Sequence, residues 1–434
     1  MAARPYDLVL FGATGYTGGL TAEYLARHAP VSMRWAIAGR DRSKLDALAA
    51  RLAAGGAQSR PWCVQADVQD AASLARLSQS TRVVLSTVGP YVLHGEPLVK
   101  ACADAGTDYA DICGEAEFVD RMWLNHHETA MKTGARIVHC CGFEALVPDL
   151  GAYYTVRQLP VGVPIQIEAF VFVDATFSKG TPLHSVITAL SRMDQRRAAH
   201  RQRTAAESRP AHRRIGNTHQ RLHFERALGA WVVPFPAVDP QIVRRSAVAI
   251  EGYGPDFRYG HYLQVPNLGK LAGLLTGAAA LLLASQMSLT RKWLLSLRPP
   301  GDGPSVEQRE RSRFTVTFFG EACPEPGRGS GGESIRTQVS GGDPGYGETS
   351  KLLAESGLCL ALDELPLDRA GVLTPVVAMG DALFRRVEAA GIRFETLHAR
   401  EPARRSGFSR DGLDGSRPYK IAAKAAPTIP PSRE

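Results

Sequence analysis

The segment LVLFGATGYTGGL, residues 8–20, constrains the fold of this chain more than any other. Apolar residues run without alternation from Leu8 to Phe11, as in a strand buried on both faces of a parallel sheet. Gly12, Gly15 and Gly18 follow at intervals of three, and an apolar helical pattern (Leu20, Tyr24, Leu25) begins behind them. A turn this tight needs glycine wherever φ is positive or backbone must come close to a ligand. The helix that opens there would aim unpaired N–H groups, and the positive end of its dipole, into the turn. The spacing is G-x-x-G-x-x-G and not the commoner G-x-G-x-x-G, so the neighbourhood decides what it means.

That neighbourhood alternates. Trp35–Ala38 reads as a second strand, followed by a helix with Leu45, Leu48 and Leu52 on one face. PWCVQADV, TRVVLSTVGPY, TDYADICG and ARIVHCCGF supply four more strands, with helical stretches between them. Such a rhythm builds βαβ units and a doubly wound parallel sheet. The expected class is therefore α/β: an N-terminal Rossmann domain over residues 1–148, then a second α+β domain over 149–341. In the latter, PIQIEAFVFVDA, RFTVTFFGE and ESIRTQVSG alternate like half-exposed strands of an antiparallel sheet, and EQRERSRF reads as a polar connector. Residues 342–397 predict C-terminal helices returning to the Rossmann domain. The Arg-, Ser- and Pro-rich stretch 398–434 reads as a disordered tail.

Two stretches of the second domain stand apart in composition. Ten arginines fall between Arg192 and Arg226 against three acids, Asp194, Glu207 and Glu225. With little aromatic interleaving and no nucleic-acid motif, this insertion (192–226) reads as a solvated helix end running into a mobile loop, and nucleic acid is not an expected partner. Leu271–Thr290 holds no charged residue and is flanked by Arg291 and Lys292. It reads as a buried or oligomer-forming helix, which would make a homodimer, or as a monotopic contact with a membrane; a spanning helix would divide the second domain's strands.

The formal net charge is +8, and the seven cysteines are scattered without a disulfide framework or a Cys-x-x-Cys metal pair. A reducing cytosol and no metal are expected. The first strand starts within six residues and no apolar signal region precedes it. The expected location is cytoplasmic, peripheral at the inner face of the plasma membrane.

With six strands around it, the turn Gly12, Thr14, Gly15, Tyr16, Thr17 and Gly18 suits the pyrophosphate of a nicotinamide dinucleotide. An NAD enzyme ends its second strand with Asp or Glu on the ribose 2′-hydroxyl. Here Arg40 stands there, with Arg42 behind it. A guanidinium suits a 2′-phosphate, so NADP(H) is the expected cofactor. Asp67 reads as an adenine neighbour or a helix cap. The turn after strand four places Gly89, Pro90 and Tyr91 along the nicotinamide, and Tyr91 and His94 are the nearest proton donors, unless Tyr91 only packs and His94 only caps.

GATGYTG, AGR, GPY with GEPLVKAC, YADICGE, CCGFEALVPDLG (140–151) and GDPGYGET (342–349) together resemble the saccharopine dehydrogenase-like oxidoreductases, over the chain up to about residue 397. Within that family the chain is most similar to the bacterial branch that includes the mycobacterial trans-acting enoyl reductases. The resemblance implies reduction of a double bond on an acyl or polyketide-type chain presented by a synthase, in lipid biosynthesis. It also implies that Gly180 and Thr181 in SKGTPLHSV, and the turn at Gly142 and Phe143, face the cofactor and hold substrate. The family's usual Asp-Ser pair after Gly-Phe is replaced here by Glu144 and Ala145. Two other readings compete: a saccharopine-type amino acid dehydrogenase, and a non-catalytic nucleotide-binding scaffold at a lipid surface. The short-chain dehydrogenases are excluded, because none of the twelve tyrosines is followed four residues later by Lys.

Overall fold

The computed structural model describes residues 4–174, 187, 191–235, 237–286, 290, 303–322 and 332–397. In chain order, the N-terminal part folds as β1 (Tyr6–Phe11), α1 (Tyr16–His28), β2 (Trp35–Gly39), α2 (Arg42–Ala54), β3 (Trp62–Gln65), α3 (Ala71–Gln79), β4 (Thr81–Ser86) and α4 (Tyr91–His94). It continues through α5 (Glu96–Ala105), β5 (Asp108–Asp111), α6 (Ala116–Thr133), β6 (Arg136–Val138) and α7 (Phe143–Val156). Then come β7 (Ile165–Asp174), α8 (Met193–Ala206), β8 (Arg214–Asn217), β9 (His223–Glu225), β10 (Ala230–Pro234), α9 (Asp239–Ala249), β11 (Asp256–Val265) and α10 (Leu268–Gln286). The last elements are α11 (Val306–Arg311), β12 (Arg313–Ala322), β13 (Glu333–Gly341), α12 (Gly347–Leu362), β14 (Gly371–Leu373), α13 (Pro375–Ala389) and β15 (Arg393–Leu397).

The N-terminal strands form a parallel sheet in the order β3-β2-β1-β4-β5-β6, as a doubly wound fold requires, with β14 added outside β6. β14 is three residues long and lies more than 200 residues beyond its neighbour, so local periodicity does not announce it. Above the sheet, α7 is buried on nearly all sides. Its Gly151 lies against the Phe318 ring so closely that a Cβ would come within 2.2 Å. One apolar core thus runs from Leu8 and Ile37, through Leu146 and Leu353, to Ile167 and Phe318 of the second sheet.

The second sheet follows the order β15-β13-β12-β7-β11-β10-β9, with β8 also paired to β11. It is mixed, not antiparallel: β7 and β8 both run parallel to β11. The long connection from β7 to β11, with helices along it, permits the crossover that parallel neighbours need. β15 joins this sheet beside β13, so residues 342–397 serve both sheets and not the Rossmann domain alone. The polar stretch before β12 is helical, because Ser305 and Gln308 cap α11 reciprocally.

The arginine-rich stretch begins as a largely exposed helix, as expected, but continues into short strands and not into a loop. It folds as α8, β8 and β9, and Arg203 is 2% exposed because Asp120 on α6 and Glu207 bind its guanidinium. Arg192 makes two hydrogen bonds to Glu117, at 2.8 and 2.6 Å. The apolar helix α10, within the described residues, is not buried: residues 272–280 are all exposed, and Leu283 is 71% exposed.

Candidate coenzyme and active site

Backbone crowding explains the glycines of the first turn. Gly12 has φ +86°, and a Cβ there would meet Val88 and Thr87 at 2.7 and 2.8 Å. A Cβ on Gly18 would lie 2.2 Å from the Gly12 carbonyl oxygen. These two let β1, β4 and α1 converge. Gly15 differs: it is the exposed N-cap of α1 with no side-chain cap, so the first N–H groups of the helix stay open to an anion. Thr14 is exposed beside it, while Thr17 accepts a hydrogen bond on its carbonyl from Ser350. The Tyr16 hydroxyl donates to the Pro304 carbonyl at 2.5 Å, and its ring meets Tyr346 edge-on.

Arg40 is exposed at the carboxyl end of β2 with no ion pair among the described residues, whereas Arg42 is held by Asp46. A dinucleotide with a 2′-phosphate therefore fits these residues: an open helix N-terminus, a glycine cradle and an uncommitted guanidinium. Asp67 lies two residues past the end of β3 and turns back onto the Gln69 N–H at 3.0 Å; the cap of α3 is Asp70.

At the far side of the cleft, Gly89 and Pro90 join through a cis peptide bond. Tyr91 does not face the cleft. It is 5% exposed, its hydroxyl donates to the Ser86 carbonyl at 2.9 Å, and its ring packs near Phe118. Burial pushes its pKa well above the usual tyrosine value, so the hydroxyl keeps the proton that it donates to Ser86. His94 ends α4 and is exposed. Gly142 caps α7, and the Phe143 N–H donates to Thr349 at 3.2 Å while its ring meets Phe314 of β12. That turn sits where the two sheets join. Gly180 and Thr181 lie outside the described residues.

Three carboxyl groups absent from the sequence-based candidates converge beside these turns. Glu115 follows β5 and accepts the N–H groups of Tyr91 and Val92 at 3.0 and 2.8 Å. Burial raises its pKa, and those two N–H groups oppose the rise. Glu144 stands in the first turn of α7, with an oxygen 2.2 Å from where a Cβ on Gly114 would be. Its side chain is exposed to solvent, with its carboxylate crowded against Gly114. That crowding, with negative Asp239 and then Glu115 nearby, raises its pKa. Asp239 is buried, with the His261 Nδ1 at 2.5 Å. Beneath them, Asp111 pins the turns after β5 and β6: it accepts from Tyr109, from the N–H groups of Cys113 and Cys140, and pairs with His139 Nδ1 at 2.7 Å. The acids in YADICGE and CCGFE were visible as residue types; only the tertiary fold brings them together.

Residues 8–138 match the model of the saccharopine dehydrogenase NADP-binding domain. A Mycobacterium bovis protein named trans-acting enoyl reductase is 34% identical over 421 residues, 90% of this chain and 97% of its own. The chain belongs to the trans-acting enoyl reductase family. A Mycobacterium tuberculosis member, so named provisionally, is 37% identical over 420 residues, 91% of this chain and 98% of its own. Among solved structures, apo saccharopine dehydrogenase (L-Glu forming) from Saccharomyces cerevisiae shares the fold, with TM-score 0.52 at 13% identity over 90% of this chain and 99% of that one. Membership in this family makes the chain an NADP-dependent oxidoreductase, and the matched NADP-binding domain contains the glycine turn and Arg40.

Proposed function

We propose that the protein reduces an α,β-unsaturated thioester in trans, on an acyl or polyketide-type chain presented by a synthase carrier domain, in lipid biosynthesis. What supports this reading is the glycine turn and exposed Arg40 suited to NADP(H), in a chain 34% identical over 90% of its length to a protein named for that activity. NADPH, when bound, supplies the hydride for the β-carbon. The protein's task is to bind it, orient the chain and deliver a proton to the α-carbon. Gly12, Gly15 and Gly18 shape the cradle, and Arg40 meets the 2′-phosphate. Glu144 delivers the proton to the α-carbon; crowding by protein atoms, and then Asp239 and Glu115, push its pKa upward. Glu115 fixes the 89–92 turn through its two backbone hydrogen bonds. The reaction takes place in the cytoplasm, with peripheral contact at the inner face of the membrane where the lipid product is needed.

The test mixes purified protein, NADPH and an enoyl-carrier thioester from a synthase without its own enoyl reductase. The expected result is loss of nicotinamide absorbance with a two-hydrogen mass gain on the acyl chain. Glu144→Gln should slow turnover ~10²–10⁴-fold, the usual weight of a general acid, with NADPH affinity unchanged. Tyr91→Phe should change turnover less than about tenfold, as a buried hydroxyl on a carbonyl does no proton transfer. Bound NADPH without mass gain on any such thioester would overturn the reading.

A further inference from the structure

On the α2 side of the glycine turn lies a cavity of about 790 Å³ whose far wall comes from the second domain. Thr14, Gly15 and Tyr16 form its upper edge, Lys44 and Arg51 of α2 one side, and Pro304 through Arg309 the other. The second-domain segment is seated firmly. Pro304 is buried and its carbonyl accepts from the Tyr16 hydroxyl at 2.5 Å, and Gly303 lies so close to the Tyr16 ring that a Cβ would come within 2.2 Å.

The cavity is rich in cations. Arg51 pairs with Glu23 at 3.3 Å, and Lys44 reaches Asp41 only at 3.9 Å. Arg309 has no ion pair among the described residues, and its Nε is buried without a hydrogen-bond partner. A half-buried guanidinium beside two other cations is unfavourable until an anion arrives. Position identifies the anion. The pyrophosphate belongs at the N-terminus of α1, whereas the ribose 2′ position belongs at the end of β2 and the start of α2, where Arg40 and Lys44 stand.

We propose that Arg309, with Lys44 across the cavity, binds the 2′-phosphate of the coenzyme from the second domain. A planar fork suits a phosphate dianion, and the contact would tie the second-domain segment to the Rossmann domain. The coenzyme's adenosine end then holds α11 against α1. This is independent of which thioester is reduced.

The test is calorimetric titration of the full-length protein with NADPH, NADH, 2′,5′-ADP and 5′-AMP. Arg309→Gln should weaken NADPH and 2′,5′-ADP about tenfold or more, the loss of one charge-assisted contact, and leave NADH and 5′-AMP unchanged. Arg309→Lys should recover part of that loss. Thermal melting of each free variant controls for folding. Equal losses for NADPH and NADH would mean that Arg309 only seats the segment, and would overturn the proposal. Unchanged NADPH affinity would overturn it as well. Neither outcome bears on whether an enoyl thioester is reduced, because binding alone is read.

Discussion

Helices α8 and α10 belong to the same domain, and each buries only two of its described side chains although one is rich in arginine and the other apolar. α8 has the sequence MDQRRAAHRQRTAA, and its Arg203 is buried. α10 has the sequence LGKLAGLLTGAAALLLASQ, and among its described side chains only Leu271 and Ser285 are buried. The difference lies in what each helix meets. α8 crosses α6, where Glu117 and Asp120 face it, and charge on one helix is matched by charge on the other. Asp120 also accepts from Gln241 at 2.7 Å and lies 3.3 Å from His200, while Glu207 reaches Arg245 at 3.3 Å. Among the described residues α10 meets nothing comparable. Burial follows the partner, not the composition.

The contrast can be broken most strongly at Arg203. Arg203→Leu leaves the Asp120 carboxylate in the interior without its guanidinium, and such a loss typically costs ~3–5 kcal/mol. Chemical denaturation should show a fall of that order. The double change Arg203→Leu with Asp120→Leu should recover much of it, since an apolar pair in place of a buried ion pair is often neutral. A loss under ~1 kcal/mol for the single change would mean that α8 is dispensable, as its composition suggests.

A buried carboxyl without such a partner behaves differently. Asp149 on α7 accepts the Val376 N–H at 3.1 Å, and burial pushes its pKa up to about 7 from 3.8. In the folded protein it therefore keeps its proton at pH values where the unfolded chain has lost it. Its contribution to stability is fully present below pH 3.8 and is lost as pH rises through about 7. The slope is at most about 1.4 kcal/mol per pH unit. Asp149→Asn should flatten the stability curve between these limits. An unchanged slope would show that Asp149 is ionised in place, with Arg245 supplying the counter-charge.

The same distinction explains what the sequence disclosed. The Rossmann sheet was legible because strand and helix periods are local, and the roles of Gly12 and Gly18 were legible because a turn's sterics are local. β14 was not, as three residues carry no period. Tyr91 stood beside the expected site in sequence, but its direction was set by Phe118 and the Ser86 carbonyl. Glu115, Glu144 and Asp239 come from separate elements, so their convergence exists only in the folded chain. The arginines of α8 showed their charge but not the acids on α6 that bury them.

The smallest expected effect on stability is at α10, where the inverse of the Arg203 result should appear. Leu274 and Leu283 are 37% and 71% exposed, so Leu274→Gln with Leu283→Gln should move stability by no more than ~0.5 kcal/mol. Among the described residues no protein covers these leucines, and Leu268–Ser285 is long and apolar enough to enter a bilayer. Lys270 at one end, with Arg291 and Lys292 beyond the other, can meet acidic headgroups. Flotation with vesicles containing anionic phospholipid should therefore carry the parent protein and leave the double variant behind, at equal melting temperature. High salt should weaken the parent's flotation without abolishing it, because the leucines remain. If instead the double change lowers the melting temperature by several degrees, α10 packs against protein, a second copy of the chain being the first to test by sedimentation.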